Sequence, residues 1–295
     1  MLERRQLRQY VLLCRAEGAV YDDAAMTENN WAAHARMQAA ARWERASAEM
    51  GKGVTDALVE YAGPQPGERV LDLACGTGAP SLKVARQVGP AGRVIATDLS
   101  EEPLKIAGER ARERNLTNIE FRQADAQALP FEDNKFDLIT CRFGVMFFAD
   151  VPRALAEMKR VLRSGGRVAF AAWGSIQQPY FQSTVGVVLR KTGAAVPAGA
   201  AAMFKFGEQG KLAAALSQAG FVDARDEVRQ VPWPWTESVE ELWAYFKAVT
   251  VPFRPVLERA TPEMEREILG ELRKYSDGQK VNLTAEIVLA GGKKP

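Results

Sequence analysis

The sequence predicts an α/β protein built on a doubly wound, mostly parallel sheet. Short, nearly continuous apolar runs alternate with helical patterns from residue 69 onward, as expected where helices cover both faces of a sheet. The first apolar run leads directly into a glycine-rich turn and then a helix. Acidic residues then recur at or near the ends of the first three runs, as Asp72, Asp98 and Asp125.

The elements follow in order. Residues 26–62 predict helix, with Trp31, Met37, Ala41, Met50, Val54, Leu58 and Val59 among its apolar positions, and GPQPG at 63–67 breaks it. Residues 69–74 form the first strand and 75–79 the glycine turn. Pro80 falls where a first helical turn accepts proline, and the helix runs on to residue 88. Strands follow at 92–97, 118–123, 135–141 and 167–173, with helices at 101–114 and 151–162 and a turn at Ser164, Gly165 and Gly166. Residues 174–206 read as a long connection, 208–219 as a helix stopped by Gly220, and 221–231 as a sixth strand. Residues 232–279 read as an aromatic-rich helical insert, and 281–290 as the last strand. The organisation predicted is an N-terminal helical extension or cap (1–62), a ligand-binding core (63–231, with 174–206 variable), the insert (232–279) and a closing strand and tail (280–295).

Composition narrows the function. The 295 residues are 47% apolar, enough for a large core, and 39 basic against 37 acidic side chains leave a formal charge of +2. That balance predicts no nucleic-acid partner. Cys14, Cys75 and Cys141 are far apart and lack a CxxC spacing, so they predict reduced thiols in a cytoplasmic protein. With His34 the one histidine, no metal site is expected. No apolar run approaches the roughly 20 residues of a membrane span. Arg4, Arg5 and Arg8 precede an apolar patch too short for a signal peptide, so residues 1–25 read as a peripheral helix or as an extension upstream of a start at Met26.

The chemistry concentrates in VLDLACGTGA, residues 70–79. Gly76 and Gly78 let the chain turn tightly and let a ligand approach the main chain. A glycine loop alone is weak evidence, but its neighbours sharpen it. A phosphate would gain little from Asp72 on the preceding strand, whereas a ligand bearing an ammonium and a sulfonium would gain from it. Ser81 stands where a dinucleotide fingerprint has its third glycine, and no P-loop Lys-Ser or Lys-Thr follows. Asp98, about 20 residues past the loop, suits the two hydroxyls of an adenosine ribose, and Asp125 suits the exocyclic amine of adenine.

On these residues the chain resembles the class I S-adenosylmethionine (SAM)-dependent methyltransferases, especially the UbiE-like branch acting on small molecules. The resemblance runs through Asp72 to Gly78, with Ala74 in place of the first glycine, a variant tolerated in this branch. It continues through Ala96-Thr-Asp98, Ala124-Asp-Ala126, Leu129 to Phe131, Phe136 to Cys141, Arg142 to Phe148 and Val161 to Arg167. It implies a Rossmann-like, seven-stranded sheet with the last strand antiparallel. It implies that Asp72 and the backbone of Ala74, Cys75, Gly76, Thr77 and Gly78 hold the methionine part of SAM. Asp98 would take the ribose with Leu99 beside the adenine, and Asp125 and Ala126 would hold the adenine edge. Arg142 and Phe143 would face the methionine end and the acceptor. S-adenosylhomocysteine would be the product.

The acceptor expected is a small organic molecule, quinone-like or another lipophilic metabolite, methylated at oxygen, nitrogen or carbon. The aromatics Trp233, Trp235, Trp243, Tyr245, Phe246 and Phe253 either line its pocket or pack the insert onto the sheet. His34 is the candidate general base, if one is used. Cys141 lacks a partner motif for covalent catalysis and reads as packing. A homo-oligomer stays open. Two other functions also stay open, a non-catalytic SAM-binding partner and a macromolecule methyltransferase. Against the latter, Cys141-Arg-Phe-Gly144 stands where amino-methylating nucleic-acid enzymes carry a polar Pro-Pro-aromatic tetrapeptide.

Overall fold

The computed structural model describes residues 42–295, so His34, Trp31, Met37, Ala41 and Cys14 lie outside the described residues. Helix α1 (Glu44–Ala62) carries a buried stripe of Ala46, Met50, Val54, Ala57 and Leu58. It stops at Gly63, whose φ of 55° only glycine adopts without cost and whose N–H closes onto the Val59 carbonyl. The sheet follows as β1 (Arg69–Leu73), β2 (Arg93–Asp98), β3 (Ile119–Gln123), β4 (Phe136–Arg142), β5 (Leu162–Trp173), β6 (Val222–Trp235) and β7 (Val281–Lys293). Its order is β3-β2-β1-β4-β5-β7-β6. Strands β1 to β5 are parallel, and β7 runs antiparallel to both β5 and β6. This is the doubly wound, seven-stranded Rossmann-like sheet that the sequence predicts, with its last strand reversed.

Helices α2 (Ala79–Val88), α3 (Glu101–Glu113) and α4 (Val151–Val161) make the crossovers. The winding reverses between β1 and β4, which leaves a crevice beyond their C-terminal ends, where ligands of open α/β sheets bind. Apolar strands form the floor: after exposed Arg69 every residue of β1 is buried, Asp72 included.

Three sequence expectations need correction. Ser164, Gly165 and Gly166 lie inside β5 as an irregularity rather than a turn before it. The Gly165 N–H donates to the Lys294 carbonyl at 2.9 Å and the Lys294 N–H to Gly166 at 2.8 Å, so the chain's end gives this glycine pair a strand-like partner. The 174–206 connection is largely helical, with α5 (Pro179–Gln182), α6 (Val185–Thr192), α7 (Ala198–Ala201) and buried Tyr180 and Phe181. Finally, Trp233 and Trp235 belong to β6, not to a helical insert, because β6 runs on to pair Trp233 with Leu283 and Trp235 with Val281. Pro232 and Pro234 alternate with the buried Val231, Trp233 and Trp235, and β6 is an edge strand, which tolerates prolines that offer no N–H.

Helix α8 (Lys211–Gln218) precedes β6, and α9 (Val239–Val249), α10 (Arg254–Leu257) and α11 (Pro262–Arg273) separate it from β7. Helix α1 lies across β6 so closely that a Cβ at Gly53 would stand 2.4 Å from the Pro232 carbonyl oxygen. Its start is pinned to α9 by Trp43, whose Nε1–H donates to Glu241 at 2.5 Å. The cap is therefore a joint structure of α1, the edge of the sheet and the α9 helix.

Candidate functional site

The crevice is walled by the loop after β1 and the chain leaving β4. Ala74 (φ 52°) and Phe143 (φ 60°) both sit in the left-handed region, which non-glycine residues adopt at a cost of about 1–3 kcal/mol. The two turns touch. A Cβ at Gly144 would stand 2.5 Å from the Ala74 Cβ and 2.7 Å from the Cys141 sulfur. Glycine at 144 is thus what lets an alanine occupy position 74. Sequence reasoning passed over Gly144, because its necessity comes from a neighbour 70 residues away in the chain.

Asp72 is fully buried behind the loop. One carboxylate oxygen accepts from the Ser81 hydroxyl and the other from the Thr140 hydroxyl at 2.7 Å. Burial pushes its pKa up to about 6, against the pull of both hydroxyls and of the nearby Arg142 charge. Its carboxylate is therefore held between Ser81 of α2 and Thr140 of β4, behind the loop. Ser81, read only as a missing third glycine, and Thr140, which lies opposite Asp72 in the β1–β4 register, are the partners that the sequence reading missed.

Gly76 and Thr77, at the middle of the loop, are half-buried, between buried Cys75 and Gly78. Gly76 (φ 52°) has nothing within 4 Å of where a Cβ would stand, so its backbone borders open space. Its N–H donates to Asp98 Oδ2 at 2.9 Å, and the Ser100 N–H donates to Oδ1 at 3.1 Å. Each carboxylate oxygen has a further lone pair, so half-buried Asp98 has capacity to accept additional hydrogen bonds. Beside it Leu99 is 65% exposed, an apolar side chain held in solvent at a strand tip. Asp125 accepts from the Gln127 N–H at 2.8 Å in a turn past β3 and is half-buried, with buried Ala126 next to it. Cys75 is buried and free, with burial raising its thiol pKa. Thr77 is braced by Arg110 of α3, which donates to the Thr77 carbonyl at 3.2 Å and pairs with Glu44 of α1 at 2.8 Å.

Beyond β4 the crevice turns aromatic. Arg142 donates through one nitrogen to the Gly51 carbonyl (3.2 Å) and to the Thr55 hydroxyl (3.0 Å), both on α1. Burial lowers its pKa, opposed by the charge of Asp72. Phe143 stacks on Trp173, the last residue of β5, with ring centres 4.4 Å apart. Trp173 meets Trp233 edge-on at 5.2 Å, and Tyr180 stands 5.7 Å from Trp233. Burial pushes the Tyr245 phenol up to about 12 and that of Tyr180 well above its usual value, so both stay neutral near pH 7. Trp235, Phe246 and Phe253 are wholly buried and serve packing. Cys141 is buried, and burial pushes its thiol up to about 12, which leaves no reactive thiolate. A separate cavity of about 160 Å³, lined by Arg69, Arg93, Arg122 and Lys135, lies at the opposite strand edge, where Glu120 already pairs with Arg93 and Arg122.

The model of the ubiE/COQ5 methyltransferase family matches residues 49–196, half of the chain. The chain belongs to the ubiE/COQ5 methyltransferase family.

Among characterised relatives, the ubiquinone/menaquinone biosynthesis C-methyltransferase UbiE of Teredinibacter turnerae is 46% identical over 111 residues, 37% of this chain and 45% of that protein. The corresponding protein of Ectopseudomonas oleovorans is 46% identical over 110 residues and is covered to 65%. The match thus spans only about half of the first of these relatives. Two solved structures share the fold across most of the chain. The YcgJ protein of Bacillus subtilis has a TM-score of 0.52 at 20% identity, covering 82% of this chain and 98% of that one. The cyclase SpnF has a TM-score of 0.51 at 24% identity, covering 81% and 80%. The ubiE/COQ5 stretch takes in β1 to β5 and most of α1 but stops before α8, β6 and β7. Trp233 and Trp235 of β6 lie outside the matched region.

Proposed function

We propose that this chain binds SAM across the tips of β1 to β3 and methylates a small, flat, lipophilic acceptor of quinone-like character, releasing S-adenosylhomocysteine. The observation that carries the reading is the Gly76–Asp98 pair: an open glycine backbone tied to a carboxylate with spare lone pairs, next to an exposed leucine. These residues fit the cofactor. Asp98 has acceptors for two ribose hydroxyls, Leu99 offers an apolar face to the adenine, and Asp125 offers an acceptor to its amine. The loop from Ala74 to Gly78 offers its backbone to the methionine part, with Cys75 and Thr77 holding the turn. Asp72 acts at one remove, anchoring Ser81 of α2 to Thr140 of β4 and setting a negative field behind the loop.

When bound, SAM supplies a methyl group already activated on a sulfonium. The protein's share is then orientation and exclusion of water, which together supply much of such a barrier. Phe143, Trp173 and Trp233 make an apolar wall for the acceptor next to the loop, and Arg142 places a fixed positive charge there. Buried, free Cys75 and Cys141 support a reducing, cytoplasmic setting.

Calorimetry with SAM tests the cofactor assignment. The intact protein should bind it, and Asp98→Ala should weaken it at least about tenfold with the fold retained, as loss of a charged hydrogen-bond acceptor implies. Unchanged affinity in Asp98→Ala removes the assignment. Transfer of label from methyl-labelled SAM to a reduced naphthoquinone tests the reaction, and tight SAM binding without transfer to any flat acceptor would leave a binding module instead.

A further inference from the structure

Among the described residues one buried side-chain polar atom has no hydrogen-bond partner, the indole Nε1–H of Trp233. The side chain is only 7% exposed. Buried indole N–H groups are ordinarily paired, and leaving one unpaired costs about 1–3 kcal/mol. Trp235, two residues along the same face of β6, shows the ordinary case: its Nε1–H donates to the Ser238 carbonyl at 3.1 Å. Trp43 and Trp243 likewise donate to Glu241 and Glu265.

The surroundings of the orphan donor are those of a binding wall. Trp233 meets Trp173 edge-on, and Trp173 in turn stacks on Phe143, which follows β4 in the left-handed conformation, and on Tyr180. Tyr180 closes one side, and Phe143 itself reaches Trp233 at 6.5 Å. From Phe143 the crevice continues to Arg142 and to the Ala74–Gly144 contact at the mouth of the cofactor loop. Three flat rings and one unspent donor thus stand on the side of the crevice opposite Asp98.

We propose that Trp233 is the specificity-determining residue for the acceptor: its Nε1–H donates to an oxygen, hydroxyl or carbonyl, borne on a planar aromatic ring that packs against half-buried Phe143. This rests on the methyltransferase reading of the same crevice. The donor fixes which edge of the ring faces inward, and so which ring atom is turned toward the cofactor loop. A ring without an oxygen leaves the indole N–H buried and unpaired, and a site of that kind discriminates by hydrogen bonding far more strongly than by shape.

The test uses the full chain saturated with S-adenosylhomocysteine and labelled with nitrogen-15 in its indoles. The probes are 1-naphthol, a flat ring bearing one oxygen, and naphthalene. Adding 1-naphthol should move the indole N–H resonance that is missing from Trp233→Phe, while the Trp235 resonance stays in place. Trp233→Phe should weaken 1-naphthol about tenfold, as loss of one hydrogen bond to a buried group implies, and leave naphthalene within about twofold. An unmoved Trp233 resonance, or equal losses for the two probes, overturns the proposal. Calorimetry with S-adenosylhomocysteine on the same samples separates the two readings. Failure to bind it sinks the methyltransferase assignment, whereas tight binding with a silent Trp233 sinks only the acceptor rule.

Discussion

The two sides of the crevice are built differently. On the side proposed for the cofactor most of the holds are short-range: Asp98 by the Ser100 amide and by Gly76 of the adjacent loop, Asp125 by Gln127, and the loop by the Cys75–Gly78 turn. On the side proposed for the acceptor the wall is assembled from distant segments. Phe143, Trp173, Tyr180 and Trp233 come from β4, β5, α5 and β6, and α1 lies across them from the other end of the described chain. A site of local turns keeps its geometry when the rest of the chain diverges, while a wall assembled from distant segments can be rebuilt by changing any of them. The family match takes in the glycine loop, the tips of β1 to β3 and also Phe143, Trp173 and Tyr180, and ends before Trp233 of β6.

Four substitutions sharpen or break this contrast. The largest effect is expected at Trp235, wholly buried and packed at a tilt against Tyr245 with ring centres 4.9 Å apart. Trp235→Ala should cost about 3–5 kcal/mol in chemical denaturation, because it removes a large side chain from the edge where α1, α9 and β6 meet. A loss below about 1 kcal/mol would mean that the cap does not depend on that edge.

Next comes Gly144→Ala, which forces a methyl group against Ala74 and Cys141. About 1–3 kcal/mol should be lost, with SAM affinity falling as the loop shifts. Adding Ala74→Gly to the variant should recover part of both. A double variant no better than the single one would break the claim that the two turns share one space.

Asp72→Asn tests the buried acid. The folded-state carboxyl titrates at about 6, above its ordinary 3.8, so the folded protein holds the proton more tightly than the unfolded chain. That contribution is present at acid pH and is lost as pH rises from about 4 to about 6, where it amounts to about 3 kcal/mol against the ionised form. Measured by urea denaturation, the stability of Asp72→Asn relative to the parent should therefore rise by about 2–3 kcal/mol between pH 4 and 7 and stay flat above. A pH-independent difference would show that Asp72 is not held in the strongly desolvated state described.

The smallest effect belongs to Glu44→Ala. The Glu44–Arg110 pair is largely exposed on the Glu44 side, so stability should change by less than about 1 kcal/mol. SAM affinity should fall about twofold to threefold, because Arg110 also braces the Thr77 carbonyl. A larger stability loss would make α1 a structural strut rather than a clamp on the cofactor loop.

The sequence alone determined the parallel strands, the glycine turn and the acids Asp98 and Asp125 at or near strand tips. Those features are set by runs of a few residues, whose apolar periodicity and turn chemistry carry their own signal. Tertiary structure decided the rest. It turned Asp72 inward onto Ser81 and Thr140, made Gly144 the condition for Ala74, drew Trp233 and Trp235 into β6, and made helices of most of 174–206. Each of these depends on a partner far along the chain: a strand register, a methyl group in the facing turn, the pairing with β7. No local pattern encodes such a partner, because burial and hydrogen bonding are settled only when distant segments meet.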